Sequence, residues 1–220
     1  MADETYDPLE KTRLAASVAE ALLTREIVPL NAIDNFEGAG IYAIYYTGNA
    51  VDYKPLADAN RNGQFRRPIY VGKAIPKGGR KGGWGLGIAP GKVLAARLRQ
   101  HARTIEESED LEVSDFFCRY LVVDDVWIPL AESLLIEWFR PLWNVVLDGF
   151  GNHNPGRKRF EGQRPAWDTV HPGRSWAREM QPNSRTAGEW RELIHRALQG
   201  DPGAQLISVE QAVLEDPDES

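Results

Sequence analysis

The sequence predicts an α/β domain of the α+β type, with a small, mainly antiparallel central sheet of about three strands flanked by helices. Short stretches rich in β-branched and aromatic residues stand at 40–46, 68–72 and 116–123. Apolar residues recur at helical spacing over about 92–103, 129–140 and 185–198. With 42% hydrophobic and 26% charged residues, the chain can bury a core, which excludes general disorder.

The elements follow in order. Asp7 and Pro8 read as the cap and first residue of a helix whose Leu14, Val18 and Leu22 share one face. Residues 40–46, GIYAIYY, lie between Gly38 and Gly48 and read as a strand; PIYVG at 68–72 reads as a second. The polar stretch 47–67 holds the Asn62-Gly63 turn signal, so these strands are expected to pair antiparallel through a long loop. A glycine-rich basic loop, PKGGRKGGWGLGIAPG, covers 76–91, and its Trp84 reads as a packing residue or as one lying in a groove. Gly91-Lys92 has neither the upstream glycine nor the following Ser or Thr of a phosphate-binding loop, so no nucleotide cofactor is expected. A third strand near 116–123 leads to a helix that Pro141 stops. From 149 the chain reads as a basic, aromatic loop, then a helix near 185–198 and an exposed acidic tail.

The net charge of -6 conceals a strong segregation. Residues 54–103 carry 12 basic and 1 acidic side chains, whereas 104–139 carry 1 and 10. Such a basic segment attracts a polyanion while the remainder keeps the molecule soluble; a solvated basic loop is the alternative. No apolar run approaches the ~20 residues of a membrane span, and the opening MADETYDPLEK lacks the basic and apolar character of a secretory signal. A cytoplasmic, membrane-free protein is expected. The single cysteine, Cys118, allows no internal disulfide and reads as a buried small hydrophobe.

Taken singly, a strand tyrosine reads as core and a helical glutamate as solvated surface. Their order says more: Gly40-Ile41-Tyr42, then Tyr70-Val71-Gly72, then Arg97 and His101 one helical turn apart, then Glu132, Leu135, Ile136, Pro141 and Asn144 within ESLLIEWFRPLWN. This set resembles the GIY-YIG nuclease superfamily, with Val71 in place of the central Ile of the second tripeptide. The resemblance covers about 38–147. It implies a catalytic domain there, an N-terminal helical arm over 1–37 with a possible dimer contact, and a C-terminal extension over 148–220 with a DNA-contacting loop. The Arg-x-x-x-His helix and the basic stretch with HPGR at 171–174 are similar to the type II restriction endonucleases that cut GC-rich palindromes. Double-stranded DNA and a homodimer are the implied partners. A repair or structure-specific nuclease cutting one strand of branched DNA is the alternative, and an inactive DNA-binding module a further one.

Phosphodiester hydrolysis needs an activated water and stabilisation of the charge growing on phosphorus. Glu132 is the one carboxylate of the set, enough for a single hydrated Mg²⁺ per active site, with Mn²⁺ as a substitute. Glu137 lies about 140° further round the helix and cannot face the same ion; the family spacing selects Glu132. Arg97 is expected to clamp the scissile phosphate through its fixed fork of donors. Tyr42 and His101 are both candidate general bases, Tyr42 if neighbouring cations such as Arg97 and Lys73 lower its pKa, and His101 without help. Tyr70 is expected to orient water or phosphate, and Asn144 to tie the Glu132 helix to the sheet. Lys73, Lys77, Arg80, Lys81, Lys92, Arg99, Arg103, His153, Asn154, Arg157, Lys158, Arg159 and Arg174 are the expected DNA contacts. His153, His171 and His195 show no ligand spacing.

Overall fold

The computed structural model describes residues 11–76, 90–154 and 162–200. Helix α1 (Lys11–Leu23) precedes strand β1 (Val28–Pro29), then come β2 (Gly40–Tyr46), α2 (Lys54–Asn60), β3 (Tyr70–Ala74), α3 (Val93–Glu106) and β4 (Phe116–Val122). Helices α4 (Ile128–Phe139), α5 (Leu142–Val145), α6 (Ala166–Val170), α7 (Ser175–Arg178) and α8 (Ala187–Leu198) follow.

Among the described residues the strands form one antiparallel sheet in the order β1-β4-β2-β3. The three expected strands are its body, and β1 adds a two-residue edge too short to carry a sequence signal. Pro29 suits that edge because it has no N–H to offer a further strand. Every residue of β2 is buried. That explains why GIYAIYY is a continuous apolar run and not an alternating one: a central strand is covered on both faces.

The register sets Tyr42 opposite Gly72 on one side and Tyr120 on the other. Helix α3 crosses the Tyr42 face, with Leu94 against Gly40 and His101 against the Tyr42 hydroxyl. Helices α1 and α4 pack on each other and against the sheet. Ala15, Ala19 and Leu22 of α1 are buried in this chain's own core. Of the apolar stripe read from the sequence, Leu22 is thus buried, and Leu14 and Val18 are half-buried. Asp7 and Pro8, which carried the expected helix start, lie outside the described residues.

Two stretches read as loops contain ordered structure. Within 47–67, a 3-10 turn at Val51–Tyr53 and helix α2 bury Tyr53, Leu56 and Ala57, a span too short to display helical periodicity. The Asn62-Gly63 turn is present, with φ of 57° and 75°. The stretch after 162 buries Trp167, His171 and Arg174 in the main core. Trp143 Nε1 donates to the Tyr53 hydroxyl at 3.2 Å, Tyr53 in turn donates to His171 Nε2, and His171 Nδ1 donates to Asp110 at 3.0 Å. Each group in this chain has its partner, so His171 is an internal tie. Helix α8 starts at a reciprocal Thr186–Glu189 cap. Cys118 is buried as expected, and burial pushes its thiol up to about 12.

Candidate active site

The glycines of both tripeptides are dictated by space. A Cβ on Gly40 would lie 1.9 Å from the Leu121 carbonyl oxygen, and one on Gly72 would lie 2.4 Å from the Tyr42 hydroxyl. Gly72 thus opens the slot through which Tyr42 crosses beside β3. Tyr70, two residues before Gly72, projects to the same face, its ring centroid 6.2 Å from that of Tyr42.

The Tyr42 hydroxyl lies 2.6 Å from His101 Nε2. Both side chains are buried, at 0% and 1% exposure, so bulk water reaches neither in this state. Burial, then Tyr70, holds the phenol well above its ordinary range, opposed by the charge and N–H of Arg97. Burial, followed by the charges of Arg97 and Arg174, holds His101 well below its usual value. At neutral pH the pair is therefore phenol and neutral imidazole, with Tyr42 donating and Nε2 accepting. Nδ1 then carries the ring proton and has no hydrogen-bond partner. The ring is held instead by Phe150, stacked at 4.6 Å.

Arg97 extends from α3 across this pair. Its Nη1 donates to His153 Nε2 at 2.6 Å and its Nη2 to the Gly151 carbonyl at 2.9 Å. Because a guanidinium only donates, His153 Nε2 is an acceptor here. A Cβ on Gly151 would come within 2.9 Å of the Tyr70 hydroxyl and 3.1 Å of Arg97 Nη2, so the backbone touches both site residues only because Gly151 has no side chain.

Glu132 on α4 is buried, and its Oε2 accepts from Lys73 Nζ at 3.0 Å. Lys73 thus meets the carboxylate, a pairing that sequence spacing does not reveal. Among the described residues no group of three or more His, Cys, Asp or Glu is arranged to hold a metal. The donor set still fits a hydrated divalent ion, which needs one carboxylate here and takes its remaining oxygens from water and phosphate.

Asn144 lies on α5, beyond the Glu132 helix, and bonds the backbone of β3. Its Oδ1 accepts from Val71 N and its Nδ2 donates to Val71 O, both at 2.8 Å. The planar amide pairs with the outer edge of β3 as another strand would, fixing the strand that carries Tyr70 and Lys73.

The remaining expected DNA contacts divide. Lys92 is exposed just before α3, Arg103 is exposed on it, and His153 and Asn154 are exposed in the stretch that follows α5. Arg99 is drawn inward, bonding the Ile33 carbonyl and Asn35 Oδ1. Lys77, Arg80, Lys81, Arg157, Lys158 and Arg159, with Trp84, lie outside the described residues. Arg174 requires correction: it is 2% exposed, pairs with Asp168 and donates to the Gly149, Phe150 and Asn152 carbonyls, so its guanidinium is not offered to DNA.

A four-stranded antiparallel sheet that brings Tyr42, Tyr70, Arg97, His101 and Glu132 to one end defines a nuclease of the GIY-YIG class. A family model described as the Eco29kI GIY-YIG domain matches residues 34–198, and the chain belongs to that family of type II restriction endonucleases. The match includes the C-terminal stretch that shares the core. Comparison with the curated proteins finds no match.

Proposed function

We propose that the chain is a type II restriction endonuclease that hydrolyses double-stranded DNA at a specific, GC-rich palindromic site. The observation that carries the catalytic part is the 2.6 Å contact between Tyr42 and His101 beneath Arg97. His101 can take a proton only through Tyr42, since Nε2 faces the phenol and Nδ1 already carries the ring proton. The two candidate bases therefore act in series. The water gives a proton to the Tyr42 oxygen as the phenolic proton passes to His101 Nε2; hydroxide attacks phosphorus, the bond to the leaving oxygen breaks, the departing alkoxide takes a proton from solvent, and His101 gives up its proton again through Tyr42.

Neutral His101 leaves Nε2 able to accept the phenolic proton, while burial and the charge of Arg97 disfavour the imidazolium that results. Arg97 lies against the Tyr42 oxygen and favours the phenolate, and its fork meets the scissile phosphate. Tyr70, held beside Gly151, orients that phosphate. Glu132, paired with Lys73 through Oε2, would hold one Mg²⁺ or Mn²⁺. Such an ion, when bound, supplies charge neutralisation at phosphorus and the leaving oxygen.

One active site cuts one strand, so symmetric cutting of a palindrome calls for a twofold homodimer acting in the cytoplasm. The exposed Lys92, Arg103, His153 and Asn154 are assigned to DNA, together with Lys77, Arg80, Lys81, Arg157, Lys158 and Arg159. Digestion of a random duplex pool with Mg²⁺, followed by sequencing of the ends, tests the reading. Discrete ends with twofold symmetry are expected; cuts confined to forks or flaps would assign the chain to structure-specific nucleases instead.

A further inference from the structure

We infer that Arg174, paired with Asp168, is a positioning residue for Arg97, acting through the strap formed by residues 149–153. The inference rests on the proposed role of Arg97 as the phosphate clamp.

Arg174 spends its donors in two directions. Nε donates to Asp168 Oδ1 at 2.6 Å, and Nη2 also donates to Asp168. On the other side, Nη1 donates to the Asn152 carbonyl at 2.8 Å and the Phe150 carbonyl at 3.4 Å, and Nη2 donates to the Gly149 carbonyl at 2.8 Å. The guanidinium is held flat between the Trp167 and Trp176 rings, 5.0 and 4.5 Å from their centroids. Three of four consecutive carbonyls thus turn towards Arg174. The fourth, Gly151, turns the opposite way and receives Arg97 Nη2. His153, next along the strap, receives Arg97 Nη1.

The strap's entry is equally constrained. Gly149 has φ of 96°, and a Cβ there would lie 2.2 Å from Pro165 Cβ, so this corner accepts glycine alone. Trp167 N, on α6, donates to the Asp148 carbonyl at 2.9 Å. The strap is fastened to α6 at its start and to Arg174 along its length, while its outer edge holds the Arg97 fork.

A buried ion pair is a poor way to gain stability, since apolar residues of the same volume do as well or better. What a buried guanidinium does, and an apolar side chain cannot, is set the direction of several carbonyls at once. Here that direction determines where Arg97 points. The HPGR motif divides accordingly: His171 ties the C-terminal stretch to Tyr53, and Arg174 aims the strap.

A double-mutant cycle on the full-length protein tests this. Arg174→Lys keeps the charge beside Asp168 but cannot reach three carbonyls. Gly151→Ala leaves the ion pair alone and disturbs only the strap's contact with Arg97 and Tyr70. Each is measured alone and with Arg97→Lys, as single-turnover cleavage of the random duplex pool in Mg²⁺ and as binding to that pool in EDTA. Thermal unfolding of every variant is followed alongside. Each single change is expected to slow cleavage by about 10- to 10²-fold with binding within about twofold, and to cost nothing further once Arg97 is Lys. Losses that multiply with that of Arg97→Lys, or that appear equally in binding, would show that Arg174 does not act through Arg97. If Arg97→Lys itself cuts at the parental rate, the clamp reading falls first and the inference falls with it. Where Arg174→Lys does not fold, Asp168→Asn, which keeps the guanidinium and removes the charge that fixes it, takes its place in the same cycle.

Discussion

Tyr42 donates its hydroxyl proton to His101 Nε2 across 2.6 Å, in a site where neither ring meets solvent. Sequence spacing offers the two as rival bases; the proposed relay uses the hydrogen bond that joins them. The unpartnered Nδ1 is the cost of that arrangement, about 1–3 kcal/mol for a buried polar group without a partner. Such a cost is tolerated where the group has chemical work to do.

The buried imidazole makes stability depend on pH. His101 is held below its ordinary value mainly by burial, so the unfolded chain binds its proton first as pH falls. The contribution is intact above about pH 6.5 and is lost progressively as pH drops below that towards the folded value. Urea midpoints compared at about pH 7.5 and about pH 5.5 should fall more for the parent than for His101→Gln. Identical pH dependence in both proteins would mean that His101 does not stay neutral in the fold.

Glu132→Gln should abolish cleavage while duplex binding stays within about threefold, because the carboxylate's proposed task is to hold the ion and not the DNA. The same change at Glu137, exposed on α4, should leave the cleavage rate nearly unchanged. Activity in the first variant and its loss in the second would reverse the assignment of the metal ligand.

Asn144→Asp keeps the acceptor facing Val71 N and loses the donor facing Val71 O. We expect a loss of about 1–3 kcal/mol in urea unfolding, the cost of leaving a part-buried carbonyl unpaired beside a carboxylate. A variant as stable as the parent would mean that the edge of β3 is held by other contacts.

What the sequence displays and what it conceals divide along local and tertiary lines. GIYAIYY is legible as a strand because β-branched and aromatic residues between glycines have one reading, and Pro141 marks the end of α4. Asn144 is legible as a tie because its position after that helix suits nothing else. Arg174 is not legible: whether a guanidinium faces water or an aspartate depends on the turn that brings Asp168 beside it, and a basic, aromatic stretch has no period to reveal that turn. The same limit hides the Lys73–Glu132 pair, whose partners are 59 positions apart. Helix α2 and strand β1 are too short to impose a repeat on the sequence.

The most direct test of the account is the single-turnover cleavage rate of Tyr42→Phe on the random duplex pool in Mg²⁺, measured across pH. The substitution removes one oxygen from a packed ring, so fold and DNA binding should persist. The relay predicts a rate at least ~10²-fold below the parent at every pH, the usual contribution of a positioned base. His101→Gln, which leaves the phenol without its acceptor, should be slow at neutral pH and recover as pH rises. A Tyr42→Phe enzyme that cuts nearly as fast as the parent would contradict the relay and remove Tyr42 from the chemistry.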